Sequence, residues 1–481
     1  MSKYLYGAAV QGIQEFIFKT NELKHIVGAS ELVEQICTSA FDAFAEHGDS
    51  IVRAAGNIRV IYDNEEDCRH AVREFPKKVM TMAPGITVSQ AVVPLSDDFG
   101  RAIDEVEALL KVQRNKPQRS VTFGVLGVKR ANNTGLPVVF VSEKNEYKDE
   151  PTIQKECFQN NRGLCEKSFG TLQIPAKAIA FDIKDMTGKN DWIAIIHADG
   201  NGLGKVVQKV GKNKDVFKRF SQQLDIATKE AAQIAFHAVK DCFRGTKVIP
   251  IRPVVLSGDD MTVIIRGDLA IDYAKEFIKA FEERTRELLG DILRDEHVFA
   301  EDKDFLTACA GIAFIKSSYP FYYGYKLAEE LCSHAKKDTK AIHGADSDYL
   351  PPSCLLFHKV QDSFIISYED IIKRELTAKD KLSFKAGPYY TSPHTSKKTV
   401  EDLQHASTLL NSEDGDGIKS GIRNWLSLRI ENEKKAEQRK ERMLQIFTDA
   451  TAIELLTSEE DKRCIAFDVL AYNTIMNQQT K

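Results

Sequence analysis

The stretch Val254-Val255-Leu256-Ser257-Gly258-Asp259-Asp260-Met261-Thr262-Val263-Ile264-Ile265 sets two adjacent carboxylates between two apolar runs. Apolar runs separated by a short segment with glycine predict a β-hairpin, because glycine tolerates the dihedral angles of a tight turn. Adjacent carboxylates repel each other, so a pair of them on a structured turn indicates a bound cation. A solvated Asp-Asp turn is the alternative that this stretch leaves open by itself.

A third carboxylate follows another predicted strand. Residues 192–197 form a short apolar run that continues into Ala198-Asp199-Gly200-Asn201-Gly202-Leu203-Gly204. Its glycines let backbone amides approach an anion closely, and the N-terminus of the helix predicted to follow favours phosphate. We therefore expect Gly200, Asn201 and Gly202 to contact phosphate oxygens beside Asp199. The glycine spacing matches neither the dinucleotide-binding fingerprint nor the phosphate loop that ends in Gly-Lys-Ser/Thr.

The elements around both motifs follow a βαββαβ order, which is the ferredoxin-like arrangement. An amphipathic helix is predicted before the hairpin, a second one after it, and then a strand at residues 307–314. In a palm of this kind, an Asp on the first strand and the Asp pair of the hairpin bind two Mg²⁺ ions, which clamp a nucleoside triphosphate. A further helix carries Lys336 near its C-terminal end, where the lysine either complements the helix end or holds the triphosphate.

These motifs resemble the second palm of the CRISPR polymerase family, the large subunit of type III CRISPR effectors and a relative of GGDEF diguanylate cyclases and class III nucleotidyl cyclases. The matching segments are residues 198–202, 257–260, 310–313, 319–321 and 335–336. The family's hairpin reads Gly-Gly-Asp-Asp, and Ser257 replaces its first Gly here. The resemblance implies synthesis of a cyclic oligonucleotide second messenger, cyclic oligoadenylate above all, from ATP in antiphage defence.

The N-terminal part resembles the family's first palm, at residues 8–18 and 27–32. Val27-Gly28-Ala29-Ser30 resembles a Gly-x-Ser entry to the first helix of that palm. The resemblance implies that Gly28 and Ser30 contact a second, acceptor nucleotide. Ser30 is equally credible as a helix N-cap with no ligand.

The first copy lacks the carboxylates of the second. Gly56-Asn57 stand where Asp259-Asp260 stand, and Val10 and Gln11 stand near the place of Asp199. Without these oxygen ligands the first half cannot assemble the same metal site. We therefore expect a single catalytic palm.

The patterns predict an α+β fold with two ferredoxin-like palm domains, the first of them degenerate, and a C-terminal helical bundle. The predicted boundaries are 1–110 for the first palm, 111–190 for an inter-palm region, 191–375 for the catalytic palm and 376–481 for the helical domain. Short strands are also predicted at residues 121–125, 138–141 and 364–366.

The composition is that of an ordinary globular protein. The chain has 481 residues, 43% hydrophobic and 28% charged, and a net charge of −4, which does not indicate a general nucleic-acid binder. No apolar run approaches the ~20 residues of a membrane span, and the N-terminus lacks a signal-peptide pattern. We expect a cytoplasmic protein with no membrane partner.

Cysteine and histidine usage separates the chain from its larger relatives. Nine cysteines at irregular spacing argue against a disulfide framework. The CRISPR relatives often carry a four-Cys zinc site between the palms, whereas Cys157 and Cys165 are the pair available there, so no structural zinc is expected. They also commonly begin with an HD nuclease domain, but the chain contains no His-Asp dipeptide, so we expect no HD-type DNA cleavage.

The main hypothesis is a palm-type nucleotidyltransferase that joins nucleoside triphosphates, ATP above all, into a cyclic di- or oligonucleotide. Asp199 and Asp260 would bridge two Mg²⁺ or Mn²⁺ ions with Gly200 as a further ligand. Asp259 would be the third carboxylate ligand or would orient the attacking hydroxyl. Lys336 would neutralise the β- and γ-phosphates. The remaining nucleotide contacts are assigned to Gly200, Asn201, Gly202, Ser257, Gly258, Gly28 and Ser30.

Two alternatives remain open. The chain is either an autonomous enzyme or a reduced large subunit inside an RNA-guided complex, with effector-complex subunits as partners and a protein or RNA activator. A non-catalytic palm pair that binds nucleotides is the second alternative, although the retention of three carboxylates argues against it. Base specificity, ring size, linkage, activator and self-association are not determined by the sequence.

Overall fold

The computed structural model describes residues 3–54, 56–96, 98–116, 127–170, 174–187, 192–300, 303–342, 349–361, 367–394, 397–410, 415–448 and 450–476. In these ranges the strands are β1 (Lys3–Gln11), β2 (Gly48–Ala54), β3 (Asn57–Tyr62), β4 (Thr87–Leu95), β5 (Phe140–Val141), β6 (Tyr147–Lys148), β7 (Trp192–Gly200), β8 (Ile251–Ser257), β9 (Asp260–Arg266), β10 (Ala308–Lys316), β11 (Cys354–Lys359) and β12 (Tyr389–Tyr390).

The helices are α1 (Ile13–Phe18), α2 (Leu23–Cys37), α3 (Asp42–Ala45), α4 (Glu65–Met82), α5 (Phe99–Arg114), α6 (Glu150–Phe158), α7 (Gly163–Phe169), α8 (Ile183–Met186), α9 (Leu203–Val210), α10 (Lys214–Val239), α11 (Ala270–Asp295), α12 (Phe321–Ala341), α13 (Tyr368–Glu375), α14 (Val400–Leu409), α15 (Gly415–Glu431), α16 (Glu433–Ile446), α17 (Ala450–Thr457) and α18 (Ala466–Met476). The predicted α+β class is confirmed. No described helix is long and apolar enough to span a bilayer.

The first sheet is antiparallel in the order β2-β3-β1-β4. Its side chains alternate between two cores, as the period of a strand requires. Tyr6 and Ala8 of β1 pack towards α2 and α4, whereas Leu5 and Ala9 pack towards α5. This sheet therefore has helices on both faces.

The second sheet has the order β12-β11-β10-β7-β9-β8. Its last four strands repeat the order of the first sheet, with β7 in the place of β1, and β11 extends it in parallel to β10. Helices α10 and α11 cover one face and α12 covers the other. Gly311 of β10 permits the close approach of α12, because a Cβ there would lie 1.9 Å from the Ala328 carbonyl oxygen.

Helices α14 to α18 pack beside the second sheet around Leu403, Ile422 and Trp425, which are buried. Lys385 and Asp468 form a fully enclosed ion pair at this junction. Of the additional predicted strands, the one at residues 138–141 is confirmed in part by β5. The two at residues 121–125 and 364–366 lie outside the described residues.

Candidate active site on the second sheet

The hairpin predicted from the Asp-Asp motif is confirmed. Strands β8 and β9 pair from Ile251↔Ile265 to Ser257↔Asp260, which leaves Gly258 and Asp259 as a two-residue turn. Gly258 has φ +65°, in the left-handed region that glycine adopts without strain. The backbone therefore presents Asp259 and Asp260 together at the tip.

Strand β7 brings the third carboxylate to the same edge of the sheet. It lies between β9 and β10, and its last pair with β9 is Ala198↔Met261, so Asp199 follows directly beside the turn. The carboxyl groups of Asp199 and Asp259 are within hydrogen-bonding distance of each other. A Cβ on Gly200 would lie 2.8 Å from Asp259 Oδ2, so glycine is required there for the three groups to meet.

Burial and a neighbouring charge change the titration of the two carboxylates of the hairpin. Burial and then the charge of Asp199 raise the pKa of Asp259 well above its usual range. The same two causes raise the pKa of Asp260 to about 7. His197 of β7 lies beside these carboxylates, with its Nε2 3.9 Å from Asp260 Oδ1 and its Nδ1 3.1 Å from Thr262 Oγ1. The site therefore favours a positive charge.

Lys336 supplies a positive charge in this arrangement. Its Nζ donates to Asp199 Oδ2 and, at 2.7 Å, to the Gly200 carbonyl oxygen. Burial lowers the pKa of Lys336, but the Asp199 carboxylate outweighs burial, so the pKa lies above its usual value. Lys336 is therefore at the site that the sequence predicts, bound to the oxygens rather than free.

The donor set matches a hard divalent cation, since Mg²⁺ and Mn²⁺ prefer carboxylate and carbonyl oxygens. The oxygens of Asp199 and Gly200 already bind one cationic group, the Lys336 ammonium. Within the described ranges, no group of three or more His, Cys, Asp and Glu side chains is arranged to hold a metal as it stands. Withdrawal of Lys336 from Asp199 would free the ligands that a metal needs.

The residues after Asp199 divide into two roles. Gly202 has φ +72° and caps the N-terminus of α9, where the helix has no side-chain cap. Its place suits the predicted phosphate contact. Asn201 is different, because its Nδ2 donates to Thr307 Oγ1 (3.1 Å) and its side chain is buried. The predicted phosphate contact of the Asn201 backbone stays a prediction. The Asn201 backbone amide also donates to the Thr307 carbonyl oxygen (2.8 Å), so the residue joins β7 to the segment before β10.

A cleft of about 170 Å³ lies between the hairpin of β8 and β9 and the first sheet with its helices. Ser257 and Asp260 line one wall, and Ser30 and Arg53 line the other. Ser30 Oγ is buried and has no hydrogen-bond partner among the described residues. The structure thus brings Ser30 to the same cleft as Asp260. Its contact with a second nucleotide stays a prediction.

Two expectations about this wall are wrong. Helix α2 begins at Leu23, so Ser30 lies in its middle and is not an N-cap, and Gly28 is not at a helix entry. The helix extends upstream because Leu23, Ile26 and Val27 bury apolar side chains. Gly28 faces α6, where a Cβ would lie 1.8 Å from the Lys155 carbonyl oxygen. Its observed role is close helix packing, away from the cleft.

The first sheet repeats the hairpin without acids. Ala54 pairs with Asn57, and Gly56 has φ +76° in the turn between them. Ala9 pairs with Asn57 and so takes the place that Asp199 takes beside Asp260. The equivalent position is therefore Ala9 rather than Val10 or Gln11, and the conclusion that no carboxylate stands there is unchanged.

Sequence reasoning missed other groups in the cleft, namely Lys167 of α7, Asp225 of α10 and Glu34 of α2. They come from three separate elements, and no local spacing relates them. His197 was also missed, although a signal existed for it, because it lies two residues before Asp199 on the same face of a strand.

Comparison with known proteins gives the following similarities. Residues 192–342 match the family described as Cas10/Cmr2, second palm domain. The fold is similar to that of Csm1 in a Csm1–Csm4 cassette with pppApA (TM-score 0.61, 13% identity, 99% of this chain and 69% of that chain). It is also similar to the cassette with cA3 (TM-score 0.60, 13% identity, 99% and 69%). A third match is the Csm1–Csm4 subcomplex of the type III-A CRISPR-Csm interference complex (TM-score 0.58, 13% identity, 100% and 70%). No curated protein matches the chain by sequence.

Proposed function

We propose, on the premise that residues 192–342 are a palm of the Cas10/Cmr2 second-palm type, that this protein is a nucleotidyltransferase. It would join nucleoside triphosphates, ATP above all, into a cyclic di- or oligonucleotide. The observation that carries the proposal is the meeting of Asp199, Asp259 and Asp260 at one edge of the second sheet, with Lys336 beside them. A binding module has little need of three mutually repelling carboxylates.

The residues have distinct roles in this proposal. Asp199, Asp259, Asp260 and the Gly200 carbonyl would hold two Mg²⁺ or Mn²⁺ ions, which supply charge neutralisation and a more acidic sugar hydroxyl when bound. Lys336 would exchange Asp199 for the β- and γ-phosphates of the bound triphosphate. A sugar hydroxyl of one nucleotide would then lose its proton to solvent and bond to the α-phosphorus of the other, while the bond between the α- and β-phosphates breaks and pyrophosphate leaves. The same reaction within the linear product would close the ring.

The first half would bind the acceptor nucleotide. It would act as a degenerate palm, and the chain would divide into residues 1–110, 111–190, 191–375 and 376–481. The shared strand order of the two sheets supports this division, as does the position of Ser30 opposite Asp260 across the cleft. The acid-free hairpin at Gly56-Asn57 supports a binding role without chemistry.

The test is incubation with Mg²⁺ or Mn²⁺ and each labelled nucleoside triphosphate. Pyrophosphate release and a cyclic product by mass spectrometry are expected from the wild-type protein and absent from Asp259→Ala/Asp260→Ala. Asp241→Ala, which changes an exposed aspartate, is the matched control. Binding of triphosphate with no pyrophosphate from any of the four substrates would instead support a non-catalytic palm pair.

A second candidate is a large subunit of an RNA-guided type III complex. The similarity to Csm1 spans 99–100% of this chain, including the C-terminal helices, and those Csm1 chains are bound to Csm4. Purification from the native cell distinguishes the candidates. Co-purifying RNA and protein subunits support the complex, whereas an isolated active chain supports autonomy. For either candidate, a role in antiphage defence predicts that the nucleotide product accumulates during infection.

A further inference from the structure

Three side chains outside the catalytic carboxylates hold the turn that carries Asp259. Thr228 of α10 has a fully buried side chain, and its hydroxyl lies 2.5 Å from the Gly258 carbonyl oxygen and 3.0 Å from the Leu224 carbonyl oxygen of its own helix. The shorter distance favours donation to Gly258. Asp225, one turn earlier on α10, accepts from the Gly258 amide at 3.4 Å. Both backbone groups of Gly258 are thus bound by one helix face.

Lys167 of α7 extends this contact to two further elements. Its Nζ lies 3.3 Å from Asp225 Oδ1, 2.7 Å from the Leu256 carbonyl oxygen and 3.2 Å from Glu34 Oε1. Glu34 belongs to α2, the helix that also carries Ser30 into the cleft. One mostly buried ammonium therefore joins the end of β8, helix α10 and the opposite wall.

We propose that Lys167, Asp225 and Thr228 form a turn clamp, a set of positioning residues that holds Asp259 and Asp260 in register with Asp199. The inference rests on the proposed function for its catalytic consequence, but the clamp itself concerns the geometry of the turn. Like-charged carboxylates push such a turn apart, so its backbone needs restraint from outside the site. A displacement of about 1 Å is enough to reduce the rate of a positioned reaction severely.

The clamp also connects the wall of the cleft formed by α2 with the wall formed by β8. Because Lys167 contacts Glu34 and the β8 carbonyl together, a shift of α2 alters the hold on the turn. The first half thereby acts on the catalytic turn through an ion pair, beyond contacts to a nucleotide. Glu34→Gln keeps the size of the side chain and is expected to give a smaller effect than Lys167→Met.

The direct test is hydrogen exchange of residues 254–262. Thr228→Val removes the hydroxyl at nearly constant volume, and Lys167→Met removes the ammonium. Each is expected to speed amide exchange in the turn roughly tenfold, as loss of about one hydrogen bond predicts. Thr228→Ser keeps the hydroxyl and should restore slow exchange.

Two matched controls separate the clamp from general destabilisation. Thr457→Val removes another buried helical hydroxyl, which bonds to Ile453 in the C-terminal helices. Lys229→Met removes an exposed lysine one residue after Thr228. Neither should change exchange in the turn. Unchanged exchange in folded Thr228→Val and Lys167→Met would overturn the clamp.

Kinetics then distinguish the clamp from the proposed function. In an active protein, the clamp variants should lower kcat and raise the Mn²⁺ concentration for half-maximal rate, each roughly tenfold, with little change in KM for the triphosphate. Faster turn exchange in the variants, with no product from the wild type under any condition, would refute the nucleotidyltransferase and leave the clamp standing. Normal exchange and normal metal dependence in active variants would refute the clamp alone.

Discussion

Lys336, near the C-terminal end of α12, donates to the Asp199 carboxylate at the end of β7. This ion pair lies at the same end of the second sheet as Asp259 and Asp260. The Lys336 ammonium neutralises part of the negative charge of the three carboxylates. In the proposed function it would bind phosphate oxygens once a cation replaces it at Asp199.

Removal of this lysine should impair both chemistry and stability. Lys336→Met is expected to lower kcat at least roughly hundredfold, the usual loss of one group that stabilises developing charge. It should also lower the free energy of unfolding by about 1–3 kcal/mol, because Asp199 loses its charged partner. Steady-state pyrophosphate release and urea unfolding measure the two effects. Lys337→Met, at the exposed neighbour, should match the wild type, and an equal loss in that variant would contradict the role of Lys336.

The cluster of three carboxylates should lower the free energy of unfolding of the metal-free protein. Asp259→Asn removes an acid whose charged form is disfavoured in the folded protein. The free energy of unfolding of the metal-free variant should therefore exceed that of the metal-free wild type by roughly 1 kcal/mol or more. Activity should be lost at the same time. Denaturant unfolding in EDTA checks the stability. A metal-free variant less stable than the wild type would show that Asp259 is not under electrostatic strain.

Lys155 should make stability depend on pH in the alkaline range. It is buried, its Nζ donates to the Phe16 carbonyl oxygen at 2.6 Å, and burial lowers its pKa to about 8. The unfolded chain, with an ordinary lysine pKa near 10.4, binds more protons between these values, so this group makes stability rise with pH from about 8 to about 10. The full contribution is about 3 kcal/mol.

The measurement for Lys155 is the difference in the free energy of unfolding between the wild type and Lys155→Met. A difference is needed because buried tyrosines and cysteines titrate in the same pH range. Urea unfolding of the wild type and of Lys155→Met from pH 7 to pH 10 isolates the lysine. The wild type should gain stability relative to the variant as the pH rises. A constant difference between the two proteins would mean that Lys155 is ionised in the fold as it is in water.

The Lys385–Asp468 pair should be essential for packing of the C-terminal helices. Both side chains are buried, and Asp468 Oδ2 also accepts from the Ala386 amide and the Tyr389 hydroxyl. Asp468→Ala leaves the Lys385 charge uncompensated, so a loss of about 3–5 kcal/mol is expected in urea unfolding. Asp416→Ala, at a fully exposed aspartate, is the control and should change stability by less than about 0.5 kcal/mol. Comparable losses in both variants would exclude a special role for the buried pair.

The sequence was most informative where a local pattern carries the structure. The Ser257–Asp260 turn has glycine at its left-handed position and apolar strands on both sides, so hairpin and carboxylates are readable from one stretch. Helix α2 shows the limit of local signals. Ser30 has the type of an N-cap, but burial of the upstream apolar residues extends the helix to Leu23. Tertiary packing outweighs a capping preference of about 1 kcal/mol.

Long-range contacts were not readable at all. Lys167 reaches Glu34, 133 positions earlier, and the Leu256 carbonyl, 89 positions later. No pattern of residue spacing in the sequence predicts these contacts, because they depend on how two sheets and three helices pack. The partner of Lys336 is of the same kind. Its place near the helix end was predicted, whereas its bond to Asp199 follows from the pairing of β7 with β10 and the packing of α12.

Mass spectrometry of the products formed from ATP and Mg²⁺ or Mn²⁺, by the wild type and by Asp199→Asn, tests the central claim most directly. The account predicts a cyclic adenylate product and pyrophosphate from the wild type, and unreacted ATP from the variant. Equal amounts of product from both proteins, or unreacted ATP with the wild type, would contradict it.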